Sequence, residues 1–598
     1  MITGTAPRAF LNVERSATGR RWKARLEDAR VAEAIAQRHE LPEIVGRVLA
    51  ARGVAIEEAE AFLNPTIRTL MPQPSAFKDM EKGAARLAEA IVQGEKIGVI
   101  ADYDVDGVSS AAILQLFLRA VGSDCAVHIP DRLTEGYGPS QMAVESLKAQ
   151  GTELLVTVDC GVMAHDPLAR AAELGLVTII VDHHQAGEVL PEAHAVINPN
   201  RHDDVSGLGY LCAAGVVMIF IAAVNRVLRQ KGWYGAERPE PNMLQWLELV
   251  SLATICDVVP LKGLNRAYVT QGLKIMARRE NIGLACLADV ARLKRKPDTY
   301  ALGYLLGPRI NAAGRIGNAT LALTMLTTHD KGEAASIAQE LERLNRERQE
   351  IEIAVVDQAM VQADAMLGKE RRGSVLVVSG RGWHPGVVGL AAARLKERFN
   401  LPSFVLAEDK EGRLASGSGR SISGVDLGRA VRDALESGLI EKGGGHAMAA
   451  GLTVKKGRLG DLRGFMEEQL APQVALAGDR ALSIDAALSV GGATLELIEF
   501  LEQAGPYGTG HAAPVFAFPA HRVLFASQAG SDHIRCTLAS DDGRKLKAVA
   551  FRAMGTEMGE LLLSERQMPL HIAGRLTVDD WSGARVPSLM IEDVARVV

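Results

Sequence analysis

The chain has 598 residues, 47% of them hydrophobic, which is enough for about three to five domains with their own cores. The formal net charge is -5, from 67 basic and 72 acidic residues, which argues against a protein that is basic throughout but not against a local basic channel. The six cysteines form no C-x-x-C pair, which argues against a disulfide framework, a structural zinc site and an iron–sulfur cluster.

The first 80 residues predict a region of short helices that ends in a proline-rich linker at Met71 to Pro74. This region carries no chemical motif. The N-terminus lacks an apolar run of signal-peptide length, and no stretch of about 18 uncharged apolar residues occurs along the chain. The sequence therefore predicts a soluble cytoplasmic protein without a membrane partner.

Residues 81–330 alternate apolar strands with Ala- and Leu-rich helical segments, and the strands are predicted at 97–101, 125–129, 154–158 and 177–181. This βαβ rhythm is typical of a doubly wound parallel sheet in the α/β class. A long charged helical pattern at 331–368 predicts a solvated connecting helix, and 369–470 predict a smaller α/β lobe. About five short strands in 471–598 indicate a β-barrel of the oligonucleotide-binding (OB) type.

Carboxylates and imidazoles stand where the predicted strands of the first lobe end. In chain order they are Asp102, Asp104, Asp106, Asp159, Asp182, His183 and His184. Asp257 interrupts a buried apolar stretch and is predicted to be a further acidic strand end. Because the carboxyl ends of parallel strands form the ligand crevice of an open sheet, these groups are predicted to converge on one rim.

So many acidic groups close together need a counter-charge, and one or two divalent cations supply it. Carboxylates with one or two imidazoles and no thiolate suit Mn²⁺ or Mg²⁺ better than a structural zinc site. Each residue alone has a simpler explanation, since an aspartate at a strand end is more often a helix N-cap and adjacent histidines can be a surface pair. Their joint occurrence on successive strand ends favours the metal site.

The same residues form motifs that resemble the DHH phosphoesterase superfamily, and within it most closely the RecJ family of single-stranded-DNA-specific exonucleases. The motifs are Asp-Tyr-Asp-Val-Asp-Gly at 102–107, Val-Asp-Cys-Gly at 158–161, Asp-His-His at 182–184 and Cys-Asp-Val-Val-Pro-Leu at 256–261. Segments 307–315, 383–389, 416–421 and 443–451 are similar to the DHHA1 lobe of that family. The resemblance covers roughly residues 80–590, and the departures at Val105, Cys160 and Val181 remove no charged ligand.

The resemblance implies a role for each acidic position and for both histidines. Two Mn²⁺ or Mg²⁺ ions would be held by Asp102, Asp104, Asp106, Asp159, His183 and Asp257. Asp159 would bridge the ions, Asp106 and Asp159 would take part in catalysis, and His184 would face the scissile phosphate. Two such ions can activate a water and stabilise the leaving oxygen of a phosphodiester.

The second lobe would bind the 5′-terminal phosphate and the adjacent nucleotide, which would make degradation run 5′ to 3′. The implied substrate-binding residues are Arg309, Asn311, Arg315, Ser418, Arg420, Ser421, Gly445 and His446. From the residues alone, Arg420 in its Gly/Ser-rich turn is either a phosphate cradle or a solvated arginine. Trp383 and His384 could stack on a base, but packing is favoured because Trp is more often buried than displayed.

The barrel is predicted to grip single-stranded DNA through a basic groove. The candidates are Arg522, Arg535, Arg544, Lys545, Lys547 and Arg552, with Phe516 and Phe525 as rings. The resemblance thus implies a monomeric, metal-dependent 5′-to-3′ exonuclease on single-stranded DNA in recombination and repair. It also implies two protein partners, the single-stranded-DNA-binding protein and a RecQ-type helicase.

Two other functions compete with this one. A phosphoesterase for very short oligonucleotides or cyclic dinucleotides would use the same two lobes, but the barrel and the N-terminal region weigh against it. A DNA-binding protein with a vestigial metal cluster would lack some ligands, whereas every acidic and imidazole position is present here.

Overall fold

The computed structural model describes residues 8–132, 134–368, 373–478, 480–564, 568–579 and 585–597. They form two compact units. The first unit takes the described residues of 1–70, 260–266 and 479–598, and the second takes those of 71–259 and 267–478.

The second unit begins with a five-stranded, all-parallel sheet, as predicted. Its strands lie in the order Cys125–His128, Ile97–Ala101, Leu154–Val158, Val177–Val181 and Ala195–Ile197. The two central strands are buried along their whole length, which is why they read as continuous apolar runs. The helices around and after the sheet are Met80–Gln93, Val105–Ala120, Gln141–Ala149, His165–Glu173, Ala213–Gln230, Leu247–Cys256, Gly263–Met276 and Ile282–Val290.

The helix Ala213–Gln230 is long and apolar enough to cross a membrane by length and composition alone. However, 72% of it is buried inside the protein, which is typical of a core helix. A π-helical segment, Ala301–Leu306, runs directly into the helix Gly307–Ile316, and Thr320–Thr327 follows.

The predicted connecting helix is a single helix, Lys331–Leu367. The Asp330 carboxylate caps it by accepting from the Glu333 amide at 2.7 Å. Its solvent face carries ion pairs one turn apart, Arg343 with Glu340 and Glu347 among them. Its other face is buried, so the helix is packed on one side and solvated on the other.

The smaller lobe is a mixed five-stranded sheet with helices on it, as predicted. Its strands lie in the order Lys442–His446, Ala449–Lys455, Leu414–Arg420, Ser403–Glu408 and Leu376–Arg381. Only the last two pair in parallel. The helices are Val388–Phe399, Leu427–Glu436 and Leu459–Ala477.

The first unit contains the predicted barrel. The long strand Phe516–Ala529 pairs with His533–Ala539 on one side and with Leu570–Asp579 on the other, which closes the sheet. The remaining strands are Lys545–Ala550, Val586–Arg596, Ala481–Ile484 and Ala486–Ala487, and the helices are Leu495–Gln503 and Glu557–Ser564.

The N-terminal region differs from its prediction as short helices only. Besides the helices Arg30–Arg38, Glu43–Ala50, Ala59–Leu63 and Ile67–Leu70, it contributes a strand, Arg21–Ala24, which pairs in parallel with Ala481–Ile484. Trp22 in this strand is fully buried and its indole N–H donates to Asp593 at 3.0 Å. The sequence did not predict this strand for two reasons. Four residues are too few to show an alternating pattern, and the partner strand lies 460 residues away in the sequence.

Candidate functional site: an acidic cluster beside a basic pocket

Three aspartates enter the site from the segment after the strand Ile97–Ala101, which consists of a short loop and the first turn of the helix Val105–Ala120. Asp104 caps the following helix, since its Oδ1 accepts from the amides of Asp106 at 2.8 Å and Gly107 at 3.2 Å. Asp106 is buried, and its carboxylate accepts from the amides of Ala213 at 2.7 Å and Ala214 at 2.8 Å. These amides begin the helix Ala213–Gln230, whose dipole favours an anion there.

His183 lies at the centre of the carboxylates. Its Nε2 is 3.3 Å from Asp159 Oδ1, 3.7 Å from Asp106 Oδ2 and 3.7 Å from Asp257 Oδ2. Its Nδ1 donates to the Leu211 carbonyl at 3.1 Å, which leaves the Nε2 lone pair directed at the acidic oxygens.

Asp257 belongs to this cluster, but its predicted position at a strand end is wrong. It directly follows the helix Leu247–Cys256 and caps its C-terminus. The apolar run before it is long enough for either element, and periodicity alone does not separate a buried helix from a buried strand. The convergence predicted for Asp257 therefore holds with a different element beneath it.

The donor atoms fit a divalent metal site. Three groups each have ligand atoms within 4.8 Å of one another: Asp159, His183 and His184; Asp106, His183 and Asp257; and Asp102, Asp104 and Asp159. Among the buried atoms without a hydrogen-bond partner in the described residues are Asp102 Oδ1, Asp159 Oδ1, Asp257 Oδ2 and His183 Nε2. Unpaired buried oxygens and an imidazole lone pair that face one another are ligands for a cation such as Mn²⁺ or Mg²⁺.

The electrostatics point to the same conclusion. Burial and the neighbouring carboxylates raise the pKa of Asp257 to about 9, with Asp106 and Asp104 as the main neighbours. Burial likewise raises the pKa values of Asp102, Asp106 and Asp159, and nearby aspartates add to the shift. Without a cation the cluster thus favours protonated carboxyls, and a bound dication would offset this repulsion.

His184 is held beside the cluster by Asp182. The imidazole Nδ1 donates to Asp182 Oδ1 at 2.8 Å, and the Tyr137 hydroxyl lies 3.1 Å from the same nitrogen while donating to the Asp159 carbonyl. Burial opposes the charged form, but Asp182 and the surrounding carboxylates raise the pKa of His184 to about 9. The His184 side chain keeps 43% of its surface exposed, so a positively charged imidazole faces solvent at the edge of the acidic cluster.

A pocket of about 240 Å³ adjoins the aspartates. It is lined by Asp102, Tyr103, Asp104, Arg132, Cys256, Asn311, Gly314 and Arg315. Arg132 lies over the Tyr103 ring at 5.1 Å, and Arg315 donates to the Gly386 carbonyl of the smaller lobe at 2.9 Å. Burial and the charge of Arg132 lower the pKa values of Arg315, to about 10, and of Arg420. Three guanidinium groups are therefore close enough to repel one another, as in a site for an anion.

The predicted substrate-binding residues divide into two sets. Asn311 and Arg315 line the pocket. Arg420 is close enough to Arg315 for its charge to affect the pKa of Arg315. The Arg420 guanidinium and Ser418 both pack against Gly389, where an added Cβ would come within 2.9 Å of the guanidinium. Arg309 instead pairs with Glu342 of the connecting helix at 2.7 Å. Ser421 is buried and donates to the Val425 carbonyl.

Other predicted residues have simpler surroundings. Gly445 and His446 lie on the exposed edge strand Lys442–His446. Trp383 packs, as expected, with its indole N–H on Gln358, while His384 accepts from the Gly386 amide. In the barrel, Phe516 is fully buried, whereas Phe525 is half exposed, and Arg535, Lys545 and Lys547 point outward from their strands.

Sequence reasoning missed Arg132 and Tyr137. Both lie on the loop after the parallel strand Cys125–His128, so the rule that strand ends form the crevice would have identified this loop. An arginine and a tyrosine in an irregular loop carry no spacing signal of their own.

Comparisons with known proteins match both lobes and the barrel. Family models match as the N-terminal domain of the DHH family at 96–254, the DHHA1 domain at 372–471 and the RecJ OB domain at 484–593. The single-stranded-DNA-specific exonuclease RecJ of Salmonella typhimurium is 34% identical over 572 residues, which cover 93% of this chain and 96% of that protein. RecJ of Thermus thermophilus is 31% identical, over 90% of this chain and 74% of that protein.

Solved structures agree. Thermus thermophilus RecJ in complex with Mn²⁺ superposes with a TM-score of 0.78 at 28% identity, covering 95% of this chain and 78% of that one. The complex of the same protein with Mg²⁺ gives a TM-score of 0.72 at 26% identity, over 96% and 77% of the two chains.

Proposed function

The chain belongs to the RecJ family of single-stranded-DNA-specific exonucleases, and we propose that it hydrolyses single-stranded DNA from the 5′ end, one nucleotide at a time, with divalent metal ions. The observation that carries the proposal is the cluster around His183 Nε2, in which buried oxygens of Asp159 and Asp257 lack hydrogen-bond partners within the described chain.

The metal ligands in this proposal are six of the seven residues whose donor atoms converge, and His184 is the seventh. The six ligands are Asp102, Asp104, Asp106, Asp159, His183 and Asp257. When bound, two ions would activate a water for attack and stabilise charge on the leaving oxygen of the phosphodiester. His183 is oriented for this role by the Leu211 carbonyl, and Asp106 by the amides of Ala213 and Ala214.

His184 acts on the scissile phosphate. Its imidazole is held protonated at Nδ1 by Asp182, so the exposed ring edge presents positive charge to the non-bridging oxygens. Tyr137 limits the rotation of the ring from the other side.

Recognition of the strand end falls to the pocket beside the aspartates. Arg132, Arg315 and Arg420 offer guanidinium donors for a terminal phosphate, with Ser418 and Asn311 beside them. A phosphate bound in this pocket lies next to Asp102 and Asp104, which line the same pocket. Binding of the terminal phosphate beside these metal ligands places the scissile bond one nucleotide from the 5′ end.

A nuclease assay tests this function. The substrates are a labelled 30-nucleotide strand with a 5′ phosphate, the same strand with a 5′ hydroxyl, and a blunt duplex, each in Mn²⁺ and in Mg²⁺. The expected result is release of mononucleotides from the phosphorylated single strand and little cutting of the duplex. Asp159→Asn should abolish it, whereas Asp166→Asn, an exposed aspartate in the neighbouring helix, should not. Equal rates on duplex and single strand, or full activity of Asp159→Asn, would refute the proposal.

The cellular setting follows from the same family membership. We propose a cytoplasmic monomer in recombination and repair that works with a single-stranded-DNA-binding protein and a RecQ-type helicase. Co-purification with each partner and light scattering of the pure enzyme test these points, and a stable dimer or no association with either partner would contradict them.

A further inference from the structure

A basic segment lies between the helix Ile282–Val290 and the π-helix Ala301–Leu306. Within five residues it carries Arg292, Lys294, Arg295 and Lys296, all exposed. Arg295 makes a solvent-exposed ion pair with Asp298 at 3.0 Å, and such pairs are weak enough to be exchanged for a phosphate. In a chain of net charge -5, this is a local concentration of positive charge outside the barrel.

Two tyrosines follow the basic segment. Tyr300 is 52% exposed and Tyr304 is 71% exposed, and their rings stack with centroids 5.1 Å apart and planes 21° apart. The π-helix is fixed by Asp298, whose carboxylate accepts from the Ala301 amide at 2.8 Å. Because the two rings are in contact, they form one continuous exposed aromatic surface rather than two scattered side chains, and continuous apolar surfaces are typical of binding sites.

The π-helix packs on the end of the helix that carries Asp257. The Cys256 thiol donates to the Leu302 carbonyl at 3.6 Å, and an added Cβ on Gly303 would lie 3.2 Å from Ile255. Cys256 also lines the pocket beside Asp102 and Asp104. The π-helix that carries Tyr304 therefore contacts Cys256, a residue that lines the pocket beside the metal cluster. Segments of π-helix are frequent at functional sites.

We propose that residues 292–304, the tyrosine track, form a binding surface for single-stranded DNA that is separate from the barrel and feeds the metal cluster. Bases stack on Tyr300 and Tyr304, and backbone phosphates lie along Lys294 and Lys296. Stacking on aromatic rings accepts any base, because every base has a π-face, and this suits a nuclease without sequence preference. The proposal rests on the function proposed above and names residues that hold the strand but take no part in the chemistry.

The test compares a long substrate with a short one. Tyr300→Ala with Tyr304→Ala is expected to raise KM about 30-fold or more for a phosphorylated 30-nucleotide strand, since each stacked base contributes at least about a fivefold gain in affinity. The same double variant should cut a phosphorylated dinucleotide like the wild type, because both of its nucleotides lie at the scissile bond and leave no further base for the rings. Tyr300→Phe with Tyr304→Phe keeps both rings and should behave as wild type on both substrates.

The lysines are tested through salt dependence. Lys294→Ala with Lys296→Ala should reduce the slope of log KM against log salt concentration by about 1.4 for the long strand, the value for two lost phosphate contacts on a single strand. The matched control is Lys231→Ala with Lys331→Ala, two exposed lysines elsewhere in the same unit.

Several outcomes would overturn the tyrosine track. They are an unchanged KM of the alanine double variant on the long strand, an equal loss on both substrates, and a phenylalanine double variant as weak as the alanine one. Failure of the wild type to cut either substrate would instead refute the proposed function, so the two failures are distinguishable.

Discussion

Glu248 is a carboxyl group buried in the helix Leu247–Cys256, outside the acidic cluster. Only 4% of the residue is exposed, and its Oε2 has no hydrogen-bond partner among the described residues. Burial, with a smaller contribution from Glu280, raises the pKa of Glu248 from 4.5 to about 8. Because the folded protein holds this proton more tightly than the unfolded chain, the free energy of unfolding should fall as pH rises between these values.

The size of the effect follows from the shift. At 1.36 kcal/mol for each pKa unit, ionising Glu248 costs about 5 kcal/mol between pH 4.5 and pH 8, after which the cost stays constant. Glu248→Gln keeps the shape of the side chain and cannot ionise. The variant should therefore match the wild type near pH 5 and exceed its melting temperature by roughly 6 °C at pH 8 and above, for an unfolding unit of about 400 residues.

Scanning calorimetry of both proteins from pH 5 to pH 9 in saturating Mg²⁺ measures the difference in Tm, and taking the difference cancels every titration that the two proteins share. Glu280→Gln removes the smaller cause of the shift, so it should also raise Tm at pH 8 and above relative to the wild type, by less than Glu248→Gln does. A Tm difference that stays constant across the pH range would refute the reasoning, because a packing effect of the substitution does not depend on pH.

Three further predictions concern the site. In a chelator, Asp159→Asn should be more heat-stable than the wild type, because the substitution removes one buried carboxylate from a cluster of mutually repelling carboxylates. In Mn²⁺, the variant should lose the rise in Tm that the wild type shows. A retained Mn²⁺ response in thermal scans would contradict the role of Asp159 as a metal ligand. His184→Asn should lower kcat for single-stranded DNA about 100-fold in saturating metal, because an amide beside Asp182 cannot carry the positive charge of an imidazolium; an unchanged kcat would exclude the residue from the reaction. Arg420→Ala should weaken binding of a 5′-phosphorylated strand about 10- to 100-fold, with little effect on binding of a 5′-hydroxyl strand. The control Arg394→Ala removes a half-exposed arginine and should leave binding of both strands unchanged. Competition binding measures these affinities, and an equal loss for the two strands would contradict recognition of the 5′ phosphate by Arg420.

The sequence predicted the strand ends better than it predicted the loops and helices around them. Asp104, Asp159 and His183 follow largely apolar strands, so the geometry of a parallel sheet was enough to predict that they converge. Arg309 and Arg315 could not be separated until the helix Gly307–Ile316 was known. On that helix Arg315 shares a face with Asn311, and Arg309 points away to Glu342.

Other features depend on long-range packing that no local pattern encodes. The strand at Trp22 exists because of a partner near the other end of the chain. The π-helix Ala301–Leu306 is a rare element, and its Gly303 packs closely on Ile255 of another helix. Arg132 enters the site only because the loop after its strand folds over Tyr103.

The shared core of the N-terminal region and the barrel has a consequence for synthesis of the protein. Residues such as Val48 and Leu49 pack in one cluster with Phe518 and Ile572 of the barrel strands. At about 5–20 residues per second, a ribosome needs roughly 20–80 s to make the 400 or so residues that lie between them. While these residues are being made, the apolar side chains of the N-terminal segment lack their barrel partners, so this segment of the nascent chain needs protection from aggregation, for example by chaperones.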